Sequence, residues 1–386
     1  MKEDWKECKL GEVCYFAKDK VSVSELNNDI YISTENMIPN RGGITKATNL
    51  PTGEQTSSFE SGDILVSNIR PYFKKIWKAS FSGGCSADVL NFKSRNNISN
   101  DFLYYILSDD EFFKYCMTTS KGTKMPRGDK VAIMQYPITL PPLATQQKIA
   151  TILSSIDDKI ELNNKINDNL EQQAQAIFKS WFVDFEPFGG KMPEGWRVGK
   201  LSEIADIIMG QSPDGKSYNE DGIGTVFYQG RAEFGTRFPT RRLFTTEPKR
   251  IAKKFDTLMS VRAPVGDLNI ANEDCCIGRG LAAIHSKDSH QSFVHYTVVF
   301  LHPQLDIFNG EGTVFGCINR DALNNMEVLI PSKSDLDKFE QIVASLDNEV
   351  YNRDEENRKL VSLRDTLLLK LMNGEIETNS NIISKR

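Results

Sequence analysis

The sequence is poor in the residues that build metal sites and disulfide frameworks. It has only four histidines in 386 residues, and none of them completes the HExxH spacing of a zinc enzyme. Its seven cysteines are an odd number without a C-x-x-C pair, and Cys275 is adjacent to Cys276, which suits neither an ordinary disulfide nor a zinc site. We therefore expect reduced, mostly buried cysteines and neither a metal nor a cofactor in this chain.

Long hydrophobic runs and a secretion signal are lacking as well. No apolar run approaches the roughly 20 residues that span a membrane. The first residues, MKEDW, lack the apolar core of a signal peptide, so the cytoplasm is the expected location. The hydrophobic content of 39% and the charged content of 26% are typical of globular proteins. With 386 residues, the chain is long enough for two domains.

Catalytic motifs are lacking, with one partial exception. Residues 210–217 (GQSPDGKS) match the letters of a phosphate-binding loop. However, Pro213 removes a backbone N–H that the phosphates need, and the residues after Ser217 are unsuited to the helix that completes such a cradle. No glycine-rich S-adenosylmethionine loop and no Asn-Pro-Pro-aromatic motif is found. The sequence predicts a non-catalytic chain, and an ATPase or nuclease that uses residues 210–217 is the alternative.

What the sequence does contain is a repeat with an offset of 190 residues. LP at 140–141 recurs as IP at 330–331, and SID at 155–157 recurs as SLD at 345–347. After each anchor, apolar residues recur at alternating steps of four and three, a period of about 3.5 residues that is typical of a helix packed along another helix. The predicted seam residues are Ile149, Leu153, Ile156, Ile160, Leu170, Ile177 and Trp181 in the first copy and Phe339, Val343, Leu346, Val350, Leu360, Leu367 and Leu371 in the second.

Polar residues interrupt the seam at the same place in both copies. Asn163 and Asn167 in the first helix correspond to Arg353 and Asn357 in the second. Two interpretations are open. These residues either face solvent, or form a buried polar layer that sets the register of the helices at some cost in stability.

The repeat divides the chain into four segments. Two globular domains are predicted at 1–139 and 187–329, a helix at 140–186, and a second helix with a tail at 330–386. Strand-like runs mixed with helical patterns predict an α+β (mixed α/β) fold for both domains. Each domain opens with tryptophan and a leucine five residues later, but the two share little sequence after that. One frame with two sets of loops is suited to binding two different ligands.

The charge is distributed unevenly along the chain. The net charge is −5, yet residues 231–262 contain nine basic residues against three acidic ones. Arginine and lysine interleaved with tyrosine, glutamine and asparagine are the residue types that bind phosphates and read base edges. The predicted DNA-binding residues are Asn36, Arg41, Arg70, Tyr72, Lys74, Lys75, Lys121, Lys124 and Arg127 in the first domain and Gln211, Ser212, Tyr218, Gln229, Arg231, Arg237, Arg241, Arg242 and Arg262 in the second.

Four segments carry a resemblance to a known family. They are residues 140–149 (LPPLATQQKI), 180–187 (SWFVDFEP), 193–196 (PEGW) and 370–374 (KLMNG). Together with the repeated long helix, they resemble the specificity (S) subunit of type I restriction–modification systems. The resemblance covers essentially the whole chain and is most specific in the helical segments.

The resemblance implies a function and a set of partners. The two domains would be target-recognition domains on double-stranded DNA, and the helices would form an antiparallel coiled coil that docks two methyltransferase (M) subunits and restriction (R) subunits. S-adenosylmethionine, ATP and Mg would then belong to those partners. Two unlike domains on one spacer imply a bipartite, asymmetric DNA target. A coiled-coil scaffold that binds only protein is a further alternative, since residues 335–377 carry eleven acids against six bases.

Overall fold

The computed structural model describes residues 4–122, 124–310 and 316–376, which fold as two compact units. The first unit combines the chain up to Glu161 with the chain from Asn357 onward, and the second unit is Leu162–Glu356. Both boundaries between the units fall inside long helices. The segments predicted as helical, 140–186 and 330–386, contain helices Leu143–Phe182 and Lys333–Met372, and the tail at 377–386 lies outside the described residues.

The first unit is built from short strands and short helices that precede the first long helix. Its strands are β1 (Lys6–Lys9), β2 (Cys14–Phe16), β3 (Lys20–Ser22), β4 (Tyr31–Ile32), β5 (Gln55–Phe59), β6 (Ile64–Ser67), β7 (Ile76–Lys78), β8 (Gly83–Cys85), β9 (Val89–Ser94) and β10 (Pro137–Leu140). Its helices are α1 (Leu10–Val13), α2 (Asn100–Ser108), α3 (Asp110–Thr118) and α4 (Lys130–Ile133), and α5 (Leu143–Phe182) follows. The strands form sheets in the orders β1-β10, β2-β9-β6-β7 and β3-β5-β8-β4.

The second unit repeats this general order of elements with one strand more. Its strands are β11 (Arg197–Lys200), β12 (Ala205–Met209), β13 (Tyr218–Asn219), β14 (Thr225–Tyr228), β15 (Phe244–Thr245), β16 (Ile251–Ala252), β17 (Thr257–Ser260), β18 (Leu268–Ile270), β19 (Cys275–Ile277), β20 (Leu281–Ser286) and β21 (Glu327–Ile330). Its helices are α6 (Leu201–Ile204), α7 (Gln291–Phe300), α8 (His302–Leu305) and α9 (Arg320–Asn324), and α10 (Lys333–Met372) follows. The sheet orders are β11-β21, β12-β20-β17-β18 and β13-β15-β14-β19-β16.

The repeated frame is visible in matching hydrogen bonds. The Glu12 carboxylate accepts the backbone N–H of Lys9 at 2.8 Å, and the Glu203 carboxylate accepts that of Lys200 at the same distance. Each bond starts the short helix after the first strand of its unit, because a carboxylate three residues into a helix satisfies a free backbone donor at the helix start. The four-stranded sheets also match strand by strand, β2-β9-β6-β7 with β12-β20-β17-β18.

In each unit the two long-helix segments run antiparallel and pack against the globular part. In the first unit, Ile149 and Leu153 of α5 join one hydrophobic core with Leu371 of α10 and the globular domain. In the second unit, Phe178 of α5 packs with Phe339 of α10 and with α7. The predicted mixed α/β fold with two long antiparallel helices is confirmed.

All fourteen predicted seam residues are at least half-buried. The buried ones are Ile149, Leu153, Ile156, Phe339, Val343, Val350 and Leu371, and the half-buried ones are Ile160, Leu170, Ile177, Trp181, Leu346, Leu360 and Leu367. The structure adds buried neighbours that the pattern passed over, namely Phe178, Phe182 and Leu368. The buried stripe is wider than a two-position seam because each helix contacts both the other helix and a globular domain.

The polar interruption contains a buried layer. Asn163 is 0% exposed, its amide donates to the Glu356 carboxylate at 2.8 Å, and its Oδ1 accepts from Arg353 at 3.2 Å. Asn163 and Arg353 are the same position in the two copies of the repeat. At Asn163, the buried-layer interpretation is therefore confirmed. Oδ1 of Asn167 is also buried, but it lacks a hydrogen-bond partner among the described residues.

In each unit, an aspartate at the equivalent position of the repeat connects the globular domain to the helices, Asp157 in the first unit and Asp347 in the second. In the first unit, Tyr105 of α2 donates to Asp157 at 2.7 Å, and Arg364 donates to the other oxygen at 2.9 Å. In the second unit, Tyr296 of α7 donates to Asp347 at 2.9 Å. Burial and the nearby aspartate raise the pKa of Tyr105, so the hydroxyl stays a donor. These contacts hold each domain in a defined position on its helix pair.

Candidate nucleic-acid interface

In the first unit, the turn between β6 and β7 presents an exposed aromatic platform. Residues 71–73 form one turn of 3-10 helix, flanked by Arg70 and Lys74, both with φ of +50°. This turn exposes Tyr72 and Phe73, whose ring centroids are 4.7 Å apart. The backbone N–H of Arg70 donates to Pro126 at 2.8 Å, which joins the turn to the loop before α4. Exposed aromatic rings beside cations are suited to contacts with bases and phosphates.

Of the predicted cations, Arg70 is on this turn, and Lys121, Lys124 and Arg127 are on the adjoining loop. Lys74 and Lys75, at the end of the turn, have internal partners. Lys121 pairs with Asp129 at 2.6 Å, and Arg127 pairs with Asp88 at 3.2 Å. Lys124 is exposed and has no ion pair with the described part of the chain. The Nε of Arg70 is buried, and no described residue accepts its hydrogen bond. The structure thus brings Arg70, Tyr72, Lys121, Lys124 and Arg127 together on one surface.

The remaining predictions in the first domain have internal partners. Asn36 is only 5% exposed, and its side chain is fully engaged within the protein. Its Oδ1 accepts from Ser33 N at 2.6 Å, and its Nδ2 donates to Thr45 O at 2.8 Å. This amide holds a loop, so its assignment to the DNA surface is wrong. Arg41 and Lys74 both pair with Asp110, and Lys75 donates to the Thr34 carbonyl at 2.6 Å. These three cations would have to give up an internal contact in order to bind a phosphate.

Arg237 is the clearest correction in the second domain. Its side chain is 6% exposed and pairs with Asp347 at 2.5 Å and with Glu171 at 3.4 Å. Its Nη2 also donates to the Tyr296 hydroxyl at 3.1 Å. A buried guanidinium with two carboxylate partners attaches the domain to the helices and is out of reach of DNA. In the first unit, the equivalent aspartate is Asp157, and it pairs instead with Arg364 of α10.

Three further arginines of the basic run are exposed but neutralised. Arg231 pairs with Asp267 at 2.5 Å, Arg241 pairs with Glu273, and Arg242 pairs with Glu233 at 2.7 Å. The pairs of Arg231 and Arg241 are exposed and worth little, so a phosphate can displace them, whereas the Glu233 partner of Arg242 is buried. Each such exchange leaves an unpaired carboxylate near the DNA, which reduces the net gain in binding free energy. These three remain predicted contacts, with less electrostatic weight than an unpaired arginine has.

Residues 210–217 form an irregular loop, and the predicted polar residues are on it or beside it. A 3-10 turn, Gly215–Ser217, leads directly into strand β13 rather than into a helix. The buried Ser217 hydroxyl donates to the Asp214 carbonyl at 2.7 Å. This geometry differs from that of a phosphate-binding loop. Gln211 and Gln229 are exposed, Ser212 Oγ accepts from Arg279 N at 3.3 Å, and Tyr218 donates to the Pro213 carbonyl at 3.0 Å.

A concave pocket of about 420 Å³ near this loop is lined by three arginines. They are Arg262, Arg279 and Arg320, all of them exposed. None of the three forms an ion pair with residues 4–122, 124–310 or 316–376. We call this site the arginine pocket. Sequence reasoning identified Arg262 but missed Arg279 and Arg320, because these two lie outside the basic run and far apart in the chain.

The interfaces of the two units share one backbone frame. A backbone bridge joins Ile69 to Arg127 in the first unit, and the corresponding bridge joins Arg262 to Cys317 in the second. Next to each bridge, an equivalent backbone hydrogen bond runs from Arg70 N to Pro126 O at 2.8 Å in the first unit and from Ala263 N to Gly316 O at 3.0 Å in the second. Each bridge carries one arginine, but on opposite segments. The same frame therefore presents different side chains in the two units.

Two further site types find no support in the described residues. Across 4–122, 124–310 and 316–376, no group of three or more histidine, cysteine, aspartate or glutamate side chains is arranged to hold a metal. None of the helices that the structure describes has the length and hydrophobicity of a membrane span.

Comparisons with known proteins agree with the repeat. A family model described as the type I restriction modification DNA specificity domain matches residues 2–172 and again 193–360. The chain is 31% identical over 341 residues to the proposed MjaX type I restriction enzyme specificity subunit of Methanocaldococcus jannaschii, covering 83% of this chain and 79% of that protein. It is 25% identical to the HindI specificity subunit of Haemophilus influenzae, covering 97% and 100%.

A solved structure supports the fold. The crystal structure of the S subunit of a type I restriction–modification system from M. genitalium aligns with a TM-score of 0.57 at 16% identity. The alignment covers 95% of this chain and 96% of that one. At this level of identity, the likeness concerns the fold.

Proposed function

Because the chain belongs to the type I restriction–modification DNA specificity family, we propose that it recognises a bipartite, asymmetric DNA target and docks methyltransferase and restriction subunits. Its relatives are specificity subunits, which form a non-catalytic family with DNA-recognition domains. S-adenosylmethionine, ATP and Mg would then be bound by the partner subunits. The alternative of a free-standing enzyme has no such relatives among the proteins reported above.

One observation carries the proposal of an asymmetric target. The matching backbone bridges present Ile69 and Arg127 in the first unit but Arg262 and Cys317 in the second. Base recognition depends on the donor and acceptor pattern that the side chains offer. Two domains with one frame and different side chains at equivalent positions should therefore read two different half-sites.

The helices support the docking part of the proposal. Several apolar side chains on α5 and α10 are about half exposed, although both helices bury a wide stripe elsewhere. They are Leu162 and Ile342 in the second unit and Leu363 and Leu369 in the first. Single exposed apolar residues are ordinary on protein surfaces, so the main support for docking is the charge of the second helical segment. Residues 335–377 carry eleven acids against six bases, and this acidic balance suits a protein partner better than DNA.

A domain exchange tests the bipartite target. In cells that express this chain with its methyltransferase partner, a map of methylated adenines should show two specified half-sites separated by unspecified bases. Replacing residues 12–120 with the equivalent part of a relative should change one half-site and leave the other intact, because each domain contacts its own bases.

The matched control is the reciprocal exchange in the second domain. Replacing residues 203–310 should change only the other half-site. A single continuous motif, or a change in both half-sites after either exchange, would contradict the proposal. A complete absence of methylation with an assembled complex would favour a scaffold that binds only protein.

A further inference from the structure

We propose that the arginine pocket is a phosphate clamp that grips the DNA backbone beside the half-site of the second unit. The inference rests on the proposed function, since it takes DNA as the ligand. It goes further because it assigns Arg262, Arg279 and Arg320 to contacts with DNA phosphates rather than with bases. It also places this contact in the second unit alone.

The three arginines of the pocket belong to three separate segments of the second unit. Arg262 begins the turn between β17 and β18, where a backbone bridge to Cys317 holds it. Arg279 is between β19 and β20, and its backbone N–H donates to Ser212 Oγ at 3.3 Å. Arg320 is the first residue of α9, which Asn319 caps by accepting the N–H of Ala322 at 2.8 Å. The backbone positions are thus tied to the frame, while the guanidinium groups are exposed.

The charge of the pocket is unusual for this unit. Within the basic run, Arg231, Arg241 and Arg242 each have a carboxylate partner, whereas no ion pair from the described chain reaches Arg250 or the pocket arginines. What distinguishes the pocket is that three such arginines line one cavity. Three like charges around one cavity repel each other, and this repulsion is relieved when an anion binds. Planar guanidinium groups match the oxygens of a phosphate with paired hydrogen bonds.

The concave shape favours phosphates over bases as the ligand. Base edges lie at the floor of a groove, so a residue that reads them has to protrude from the protein surface. Phosphates protrude from the duplex and fit into a recess. A cavity of about 420 Å³ with cations around it is therefore suited to the DNA backbone. Contacts of this kind position the domain without reading sequence.

The equivalent place in the first unit is closer to neutral. Matching backbone hydrogen bonds, Asn68 N to Asp88 O and Val261 N to Gly280 O, align Asp88 with Gly280. Ala87 therefore stands where the second unit has Arg279. Asp88 also pairs with Arg127, which offsets the arginine of the first bridge. Lys130, the first residue of α4, stands where the second unit has Arg320, so the first unit keeps one of the three cations. The full set of three arginines is found in the second unit.

Salt dependence of DNA binding tests the clamp. The assembled complex with its methyltransferase partner is titrated with a duplex that carries the mapped target, at several salt concentrations. Each of Arg262→Ala, Arg279→Ala and Arg320→Ala should weaken binding and flatten the log–log salt slope by about 0.9 for each phosphate that the variant no longer neutralises. The methylated motif should stay the same in all three variants.

Two further variants separate a clamp from other roles. Lys253→Ala removes an exposed cation of the same unit that already pairs with Asp274 at 2.8 Å, so the slope should not change. Arg320→Lys retains the charge but not the paired hydrogen bonds, so it should lose less affinity than Arg320→Ala and keep the same motif if a phosphate is the ligand. A changed motif in this variant would instead indicate that Arg320 reads a base, and would overturn the clamp.

The clamp and the proposed function can fail separately. Unchanged affinity and slope in all three alanine variants, with normal bipartite methylation, would reject the clamp alone. A wild-type complex that methylates no bipartite motif would reject the proposed function itself. Far-ultraviolet circular dichroism of each variant confirms that weaker binding does not come from unfolding.

Discussion

Replacing Asp347 with alanine should lower the free energy of unfolding of the second unit by about 3 kcal/mol, near the lower end of the range for breaking a buried ion pair. Asp347 accepts hydrogen bonds from Arg237 at 2.5 Å, Tyr296 at 2.9 Å and Ser292 at 2.6 Å. Without it, the buried Arg237 keeps only one carboxylate partner, Glu171, at 3.4 Å. Urea unfolding followed by circular dichroism measures the change.

Two variants control this prediction. Glu349→Ala breaks a partly exposed pair with Arg353 on the same helix but leaves the bond from Arg353 to Asn163 in place, so it should cost no more than about 1 kcal/mol. Combining Asp347→Leu with Arg237→Met removes both charges, so much of the stability should return. If Asp347→Ala is no more destabilising than Glu349→Ala, the buried attachment of this domain to the helices is wrong.

Replacing Phe339 with alanine should destabilise the second unit by about 3–5 kcal/mol, the usual cost of removing a buried phenylalanine side chain. Phe339 of α10 is 0% exposed, and its ring centroid is 4.9 Å from that of Phe182 and 6.0 Å from those of Phe178 and Trp181. Truncation leaves a cavity in the centre of this aromatic cluster. The midpoint of urea unfolding reports the decrease in stability.

A neighbouring residue provides the matched control. Ile342 is on the same helix, is 44% exposed, and should cost less than about 1 kcal/mol when replaced by alanine. The denaturant slope of this control should equal that of the wild type, because the surface exposed on unfolding is nearly the same. Comparable effects of Phe339→Ala and Ile342→Ala would contradict the central place of the aromatic cluster.

The candidate site shows where residue types suffice and where they do not. Composition and spacing predicted Arg70, Arg127 and Arg262 as DNA contacts; the structure places them at or beside matching backbone bridges of the two units, and they stay predictions. Asn36 and Arg237 have the same side-chain chemistry as a DNA contact, but both are buried. Burial depends on which distant segment packs over a residue, and a local pattern holds no information about that.

The sequence by itself determined the repeat, the mixed α/β fold and the two long helices, because each of these is encoded in a local period or in a direct self-match. It also placed the chain in its family through motifs on the helices. Only the tertiary structure decided which arginines are available to a ligand. Arg279 and Arg320 converge on one pocket from separate elements, while Arg231, Arg241 and Arg242 meet carboxylates from other parts of the chain. Ion pairing and shape arise from contacts between residues far apart in sequence, so they follow from the packing of the whole unit.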